Sequence, residues 1–430
     1  MNYVKISPSK LSGEVTIPPS KSLSHRAVIA SGLSKGESIV ENVMFSQDII
    51  ATCSCMEALG VTIEKTQTAD NIYTLRVTGT GTFNMLKSEI DCFESGSTLR
   101  FFIPISLITQ NNVTFKGRGK LVSRPLNEYY KIFDNQSIKY TTTGGNLPLT
   151  VNGCLSADEF EIAGNVSSQF ITGLLFALPL LKNNSTIKII GNLESKGYVD
   201  LTLDILKKFS IEVVNDNYHS FYIKGNQEYK NYNYRVEGDF SQAAFWLVAG
   251  AIGGDLTCLD LNPASLQGDK EVLDIIKRMN ADIKEQDNKI CAKISNTKHT
   301  LIDGSQCPDI IPVLAVLASV SEGTTEIINA GRLRIKESDR LTAITTELKK
   351  LGADIAEKND GLIINGKAQL KGGEVNSWND HRIAMSLAVA SLRCTNDVII
   401  KDSGCINKSY PTFWEDFRKL GGKIDEWSLG

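Results

Sequence analysis

Several short clusters in this sequence pair cations with hydroxyls or carboxylates, the side chains needed to hold a small anion and move its protons. The sharpest is Ser20-Lys21-Ser22-Leu23-Ser24-His25-Arg26. Lys21 and Arg26 lie five positions apart, so on a helix beginning near Ser22 they share no face. They can still approach an anion from the helix mouth and its first turn. Arg124 lies in the glycine-rich turn GRGKLVSRP. Arg332, Arg334, Lys336 and Arg340 crowd GRLRIKESDR, His381-Arg382 opens an apolar stretch, and Lys408 precedes Ser409-Tyr410-Pro411. Taken singly, each reads equally well as a solvated charge, and the first as an ordinary serine cap. Proton transfer has two candidates. Asp309 follows Cys307-Pro308 at the mouth of an apolar run; its alternative role is a helix N-cap. Glu337 sits beside Lys336 and Arg340; its alternative is a surface ion pair.

The elements that position these groups repeat. A polar-faced helix ending in a small turn and a strand occurs as MEALGVTI (56–63), YKIFDNQSI (130–138), LKKFSIEV (206–213), IKRMNADI (276–283), LKKLGADI (348–355) and FRKLGGKI (417–424), at intervals of 69–76 residues. A second series keeps the same period. Helix-starting clusters at Ser20-Lys21-Ser22, Glu94-Ser95-Gly96-Ser97, Ser167-Ser168-Gln169, Asp239-Phe240-Ser241-Gln242, Pro308-Asp309 and Asn379-Asp380-His381-Arg382 each precede a run of small and apolar residues. Each repeat therefore holds one helix apolar all round, to be buried, one with a charged outer face, and several strands. If the buried helices of a domain run in parallel, their N-termini gather unpaired N–H groups and partial positive charge at one end. That is a site for anions. Cations sharing one phase of the repeat then read as a convergent anion pocket.

Bulk properties agree with a small-molecule site. A chain of 430 residues calls for two or three domains. The net charge of −3 and the clustering of basic groups argue against a nucleic-acid or membrane partner. The start MNYVKISPSK lacks the features of a secretory signal, and apolar runs such as Phe170–Leu181 and Ile310–Val320 are shorter than the ~20 residues of a membrane span. A cytoplasmic protein is expected. The nine cysteines show no CxxC pair and read as free buried thiols, Cys53 and Cys55 on different faces of one helix. The four histidines lack ligand spacing, so no metal is expected.

The motifs SKSLSHRA (20–27), ESGSTLR (94–100), SRPL (123–126), SSQFITGLL (167–175), KESDRLTA (336–343) and NDHRIAM (379–385) resemble, in order, the signatures of the 5-enolpyruvylshikimate-3-phosphate (EPSP) synthase family, over residues 10–425. The resemblance implies an α/β enolpyruvyl transferase fold, an inverse α/β barrel-like arrangement of six βαβαββ repeats. It implies two three-repeat domains, 20–236 and 1–19 plus 237–430, closing like a clamp on an interdomain cleft. NQEYKNYNYR (226–235) and Pro18-Pro19 suit the two crossings. The implied reaction moves the enolpyruvyl group of phosphoenolpyruvate to the 5-hydroxyl of shikimate 3-phosphate and releases phosphate, on the route to chorismate and aromatic amino acids, in a monomer without cofactor or metal. Carried over by position, Lys21, Ser22, Arg26, Ser167, Ser168, Gln169, Ser195, Tyr198, Asp309 and Lys336 hold shikimate 3-phosphate. Lys21, Gly96, Arg124, Gln169, Arg340 and Arg382 hold phosphoenolpyruvate. Asp309 takes the hydroxyl proton, while Glu337 and Lys21 serve the methylene carbon.

The chain departs from the family pattern at Glu94, where asparagine is frequent, at Ser97 for threonine, and at Phe101 for proline. Arg332 stands where an asparagine often helps bind the shikimate phosphate. Gly404 falls where some members carry a lysine contacting phosphoenolpyruvate, so that contact is missing or comes from elsewhere, with Lys408 the candidate. A sister transferase acting on UDP-N-acetylglucosamine shares the implied architecture, but it has a Lys-Asn pair where this chain has Lys21-Ser22. It also has a loop cysteine that residues 112–124 lack. A non-catalytic anion-binding relative is the other alternative; it would have lost key groups that this chain keeps.

Overall fold

The computed structural model describes residues 2–81, 85–109 and 111–428. Among them, every repeat supplies one helix that is buried over most or all of its length. Numbered in chain order with the outer set, these are α1 (Lys21–Leu33), α3 (Gly96–Ser106), α5 (Ser168–Ala177), α7 (Phe240–Gly253), α9 (Ile311–Ser319) and α11 (His381–Ala390). All residues of α7, α9 and α11 are buried. The outer set is α2 (Gln47–Ala58), α4 (Asn127–Asn135), α6 (Lys196–Lys208), α8 (Val272–Arg278), α10 (Arg340–Lys350) and α12 (Phe413–Lys419). Helix α1 begins at Lys21, one residue before the expected start, because Ser20 is its cap and accepts the Leu23 N–H.

Among the described residues the strands form six four-stranded sheets. Each has one parallel pair and two antiparallel pairs, as in Glu159–Ala163, Ser185–Ile190, Ser220–Ile223 and Val213–Asp216 taken in spatial order. Strand residues alternate, as in 185–190, where Ser185, Ile187 and Ile189 are buried while Lys188 and Ile190 are exposed. The all-buried helices therefore form the interior of each unit and the sheets its outer wall.

Two compact units result: Pro19–Val236, and Met1–Pro18 with Glu237–Gly430. Strand exchange explains why the second is discontinuous. β1 (Asn2–Ser7) sits between residues 398–401 and 423–428, and β2 (Leu11–Thr16) pairs in parallel with residues 254–259. In the other unit, Tyr234–Arg235 returns to pair with Val40 and Glu41. Each unit has its own apolar core.

Among the described residues all nine cysteines are free thiols. Cys53 and Cys55 are both buried, because α2 is covered on both faces. Cys154 is exposed and Cys291 half-buried, contrary to the expectation of burial throughout: one follows a strand end and the other lies in an outer-wall strand. No described helix is long and apolar enough to cross a membrane.

Candidate active site

In the unit 19–236, side chains tie the N-terminal halves of the buried helices α1 and α3 to the outer helix α2. His25 on α1 shares a 2.7 Å hydrogen bond with Thr52 on α2, and Thr52 shares another of 2.7 Å with Thr98 on α3. Thr98 donates to the Oγ of Ser95, the cap of α3. Burial, with Lys21 and Arg26 adding to it, holds the His25 imidazole well below its ordinary range. It is therefore neutral at pH 7 and fixes helices without adding charge. Lys21, the first residue of α1, donates to Asp48 of α2 at 2.8 Å, with both side chains partly exposed. Asp48 was invisible to motif reading because it lies 27 residues away on an outer helix.

Helices α3 and α5 approach closely because Gly173 has no side chain; a Cβ there would meet the Arg100 carbonyl and the Tyr129 hydroxyl. That approach lets Gln169 accept from Arg100 (2.7 Å) and donate to Ser97 (2.8 Å). Arg100 also donates to the Pro125 carbonyl and lies over Phe170. Arg100 ends the motif ESGSTLR, and its tertiary contact shows that it orients Gln169. Gly96 begins α3 directly against Arg124, and a Cβ there would collide with the guanidinium. Arg124 is 9% exposed, so it has little room to retreat.

Arg26, which the resemblance assigns to shikimate 3-phosphate, is packed within its unit. Only 3% exposed, it donates through Nε to Thr202, through Nη1 to the Ser22 carbonyl, and through Nη2 to Thr172 and the Tyr198 carbonyl. Burial pulls its pKa down to about 10. Most of its five donors serve α1, α5 and α6, and it holds the backbones of Ser22 and Tyr198. Ser167 caps α5 by accepting the Gln169 N–H, and Ser168 is buried behind it. Ser195 is buried and caps α6 in a left-handed conformation, with φ of 56°. Tyr198 is partly buried on the first turn of that helix.

In the other unit, Asp309 precedes α9 but does not cap it. The capping positions are Cys307 for the short 3₁₀ turn and Ile310 for α9, neither with a side-chain capping bond. Asp309 instead meets Lys336 at 3.1 Å, Arg340 at 2.9 Å and Arg382 at 3.4 Å. Arg340, the first residue of α10, is 1% exposed. It also reaches Glu337 at 2.7 Å and Asp380 at 2.8 Å. Asp380 caps α11 by accepting the Arg382 N–H and takes a further bond from Ser338. Arg382 reaches back to the Ser241 carbonyl in α7. The N-termini of α7, α9, α10 and α11 thus share one lattice of charge.

Burial opposes ionisation of Asp309, but Lys336, Arg382 and Arg340 outweigh it and hold the carboxyl well below its usual range. Burial is also the main influence lowering Lys336, partly offset by Asp309. Burial works against the Arg340 guanidinium too, yet Asp380, Glu337 and Asp309 keep it firmly charged. A carboxyl depressed on folding stabilises the fold above its unfolded pKa, and that contribution is lost as the pH falls through the folded value. Urea-unfolding curves for wild type and Asp309→Asn are therefore expected to differ above about pH 4 and to converge below it. A difference persisting unchanged at lower pH would contradict the ion-pair account.

Other basic residues separate cleanly. Arg334 is spent on Asp339 (3.0 Å), Glu357 (2.6 Å) and the carbonyls of Lys358 and Asn359. Lys408 is buried and donates to the Asn379 carbonyl at 2.7 Å, beside the start of α11. At Gly404, a Cβ would meet the side chain of Asn2 on β1. Among the described residues no group of three or more His, Cys, Asp or Glu side chains is arranged to hold a metal ion.

A sequence model described as EPSP synthase (3-phosphoshikimate 1-carboxyvinyltransferase) matches residues 6–417. The chain is 58% identical over 434 residues to the 3-phosphoshikimate 1-carboxyvinyltransferase of Clostridium novyi, with all of both chains covered. It is 56% identical to the protein of that name from Clostridioides difficile over 441 residues, again in full. The structure of an EPSP synthase from Acinetobacter baumannii superposes with a TM-score of 0.83 at 25% identity over the whole of both chains. The enolpyruvyl transferase NikO from Streptomyces tendae shares the fold, with a TM-score of 0.81 at 15% identity, covering 100% of this chain and 99% of that one.

Proposed function

The chain belongs to the EPSP synthase (3-phosphoshikimate 1-carboxyvinyltransferase) family, and from that premise we propose how its own residues divide the work of this transferase. The reaction moves the enolpyruvyl group of phosphoenolpyruvate onto the 5-hydroxyl of shikimate 3-phosphate and releases phosphate. The observation that carries the proposal is the lattice around Arg340, where Lys336, Arg340 and Arg382 converge on Asp309. Three cations held on one carboxylate form a site that a phosphorylated, carboxylated molecule can enter by exchanging places with it.

Arg340 and Arg382, with Arg124, Lys21, Gln169 and the close backbone at Gly96, bind phosphoenolpyruvate. Ser22, Ser167, Ser168, Gln169, Ser195, Tyr198, Lys21, Lys336 and Asp309 bind shikimate 3-phosphate. Arg26 supports that set mainly by holding the Ser22 and Tyr198 backbones.

Asp309 changes character as the substrates arrive. Paired to three cations it is a weak base. When substrate oxygens claim those cations, its pKa rises and it accepts the 5-hydroxyl proton while the oxygen attacks C2 of phosphoenolpyruvate. Glu337 or Lys21 delivers a proton to C3, giving a tetrahedral ketal phosphate. Loss of a C3 proton then expels phosphate and restores the double bond. Fixed guanidinium groups stabilise the charge on the phosphate and carboxylate throughout. The substrates are small molecules and require no nucleic-acid or membrane partner. We place the enzyme in the cytoplasm as a monomer.

Purified protein is expected to release phosphate only when both substrates are supplied, without added metal. Release with UDP-N-acetylglucosamine but not shikimate 3-phosphate would overturn the assignment in favour of the sister activity.

A further inference from the structure

The chain enters α11 through a turn that its residue types do not favour. Trp378 and Asn379 stand at φ of 55° and 52°, consecutive left-handed residues with no glycine between them. Asparagine tolerates that region, but a bulky side chain does not, and such a conformation persists only where its surroundings impose it. Here they do. Asn376 accepts the Trp378 N–H at 2.6 Å, and Ser377 accepts the Asn379 N–H at 3.2 Å. Ser377 in turn donates to the Asp402 carbonyl at 3.0 Å.

The remaining restraint comes from α10. Glu347, 1% exposed, accepts the Trp378 indole N–H through Oε1 at 2.8 Å and the Asn376 N–H through Oε2 at 2.9 Å. Lys350 donates to both of its oxygens. Helix α10 is the one that begins at Arg340. The bent turn emerges from this clamp at two functional atoms, the Asn379 carbonyl that receives Lys408 and the Asp380 carboxylate that holds Arg340.

We propose that Trp378 and Glu347 are a positioning pair for the phosphoenolpyruvate subsite, bracing a strained turn so that Asp380, Arg340, Arg382 and Lys408 keep one relative geometry. The inference rests on the functional reading above. Neither residue touches substrate. They act through the backbone of 378–380, and the strain they hold there is the cost of presenting Asp380 and the Asn379 carbonyl together.

Two substitutions separate this from ordinary packing. Trp378→Phe keeps an aromatic ring but loses the N–H, so residue 378 is pulled out of the left-handed region. Its phosphoenolpyruvate KM is expected to rise about tenfold, as for loss of a hydrogen bond to a charged group, with shikimate 3-phosphate KM unchanged and kcat less affected. Trp378→Gly loses the whole ring, yet glycine is at ease at this φ, so its phosphoenolpyruvate KM should rise less than that of the phenylalanine variant. The reverse order, with glycine worse than phenylalanine, would mean that the ring matters by packing and would overturn the brace. So would a wild-type phosphoenolpyruvate KM in Trp378→Phe, or equal shifts for both substrates in either variant. In each of those cases wild-type activity leaves the functional reading standing. A wild-type protein that released no phosphate from the two substrates would overturn that reading, and the brace with it.

Discussion

Asp309→Asn is expected to lower kcat by roughly 10²–10⁴-fold, the range supplied by a positioned general base. The substitution preserves shape and leaves hydrogen-bonding capacity toward Lys336 and Arg340, which lie at 3.1 and 2.9 Å. It removes the negative charge that competes with substrate for three cations. The phosphoenolpyruvate KM should therefore hold or fall while turnover collapses, and shikimate 3-phosphate affinity should change little. This split is diagnostic. A carboxylate that merely organised the cations would, when lost, raise KM along with lowering kcat. Steady-state kinetics with each substrate varied, together with calorimetric titration of shikimate 3-phosphate, would reveal it. Turnover within tenfold of wild type would remove Asp309 from the proton-transfer role.

The second large effect is on the fold as well as the reaction. Arg340 is 1% exposed and bonds Asp309, Glu337 and Asp380, the last of which is wholly buried. Replacing it by methionine, of similar length, leaves the Asp380 charge in the interior without its main partner. Breaking a buried pair in this way costs about 3–5 kcal/mol. In a unit of this size, that corresponds to a fall of roughly 10 °C in Tm. Arg340→Met should also lose nearly all activity. Adding Asp380→Asn removes the stranded charge while keeping a residue able to cap α11, so it should recover much of the lost stability and none of the activity. Calorimetry and phosphate-release assays on the single and double variants test both halves. If the double variant were no more stable than the single, the buried charge would not be the cause.

The sequence made the repeat legible because period and polarity survive in one dimension. Lys21, Asp309 and Arg382 stand at corresponding mouths of the buried helices, and Arg340 lies in the basic cluster GRLRIKESDR, so all four were candidates before any partner was known. The partners were not legible. Lys21 meets Asp48 from 27 residues away, Arg340 meets Asp380 from 40, and Arg100 meets Gln169 from 69, each pair on different helices. Local pattern also does not distinguish a cation that serves a ligand from one that serves the fold. Arg26 and Arg334 look like their neighbours in sequence, yet Arg26 is bound into three helices and Arg334 into a surface network. Asp309 shows the opposite case: its position suggested a helix cap, and the structure gives it to three cations instead.

The strand exchange described above also dictates an order of assembly. Residues 19–236 are contiguous and include every strand of their three sheets, so during synthesis that unit can close as soon as Tyr234–Arg235 has emerged to pair with Val40 and Glu41. The other unit must wait. β1 finds its partners only at residues 398–401 and 423–428, which leaves its edges without those neighbours until nearly the entire chain exists. Closing so long a loop costs entropy before any contact repays it. The half bearing Arg340, Asp380 and Asp309 is thus the last to form, and β1, an interior strand of its finished sheet, is the segment left longest with both edges open to pairing with other chains.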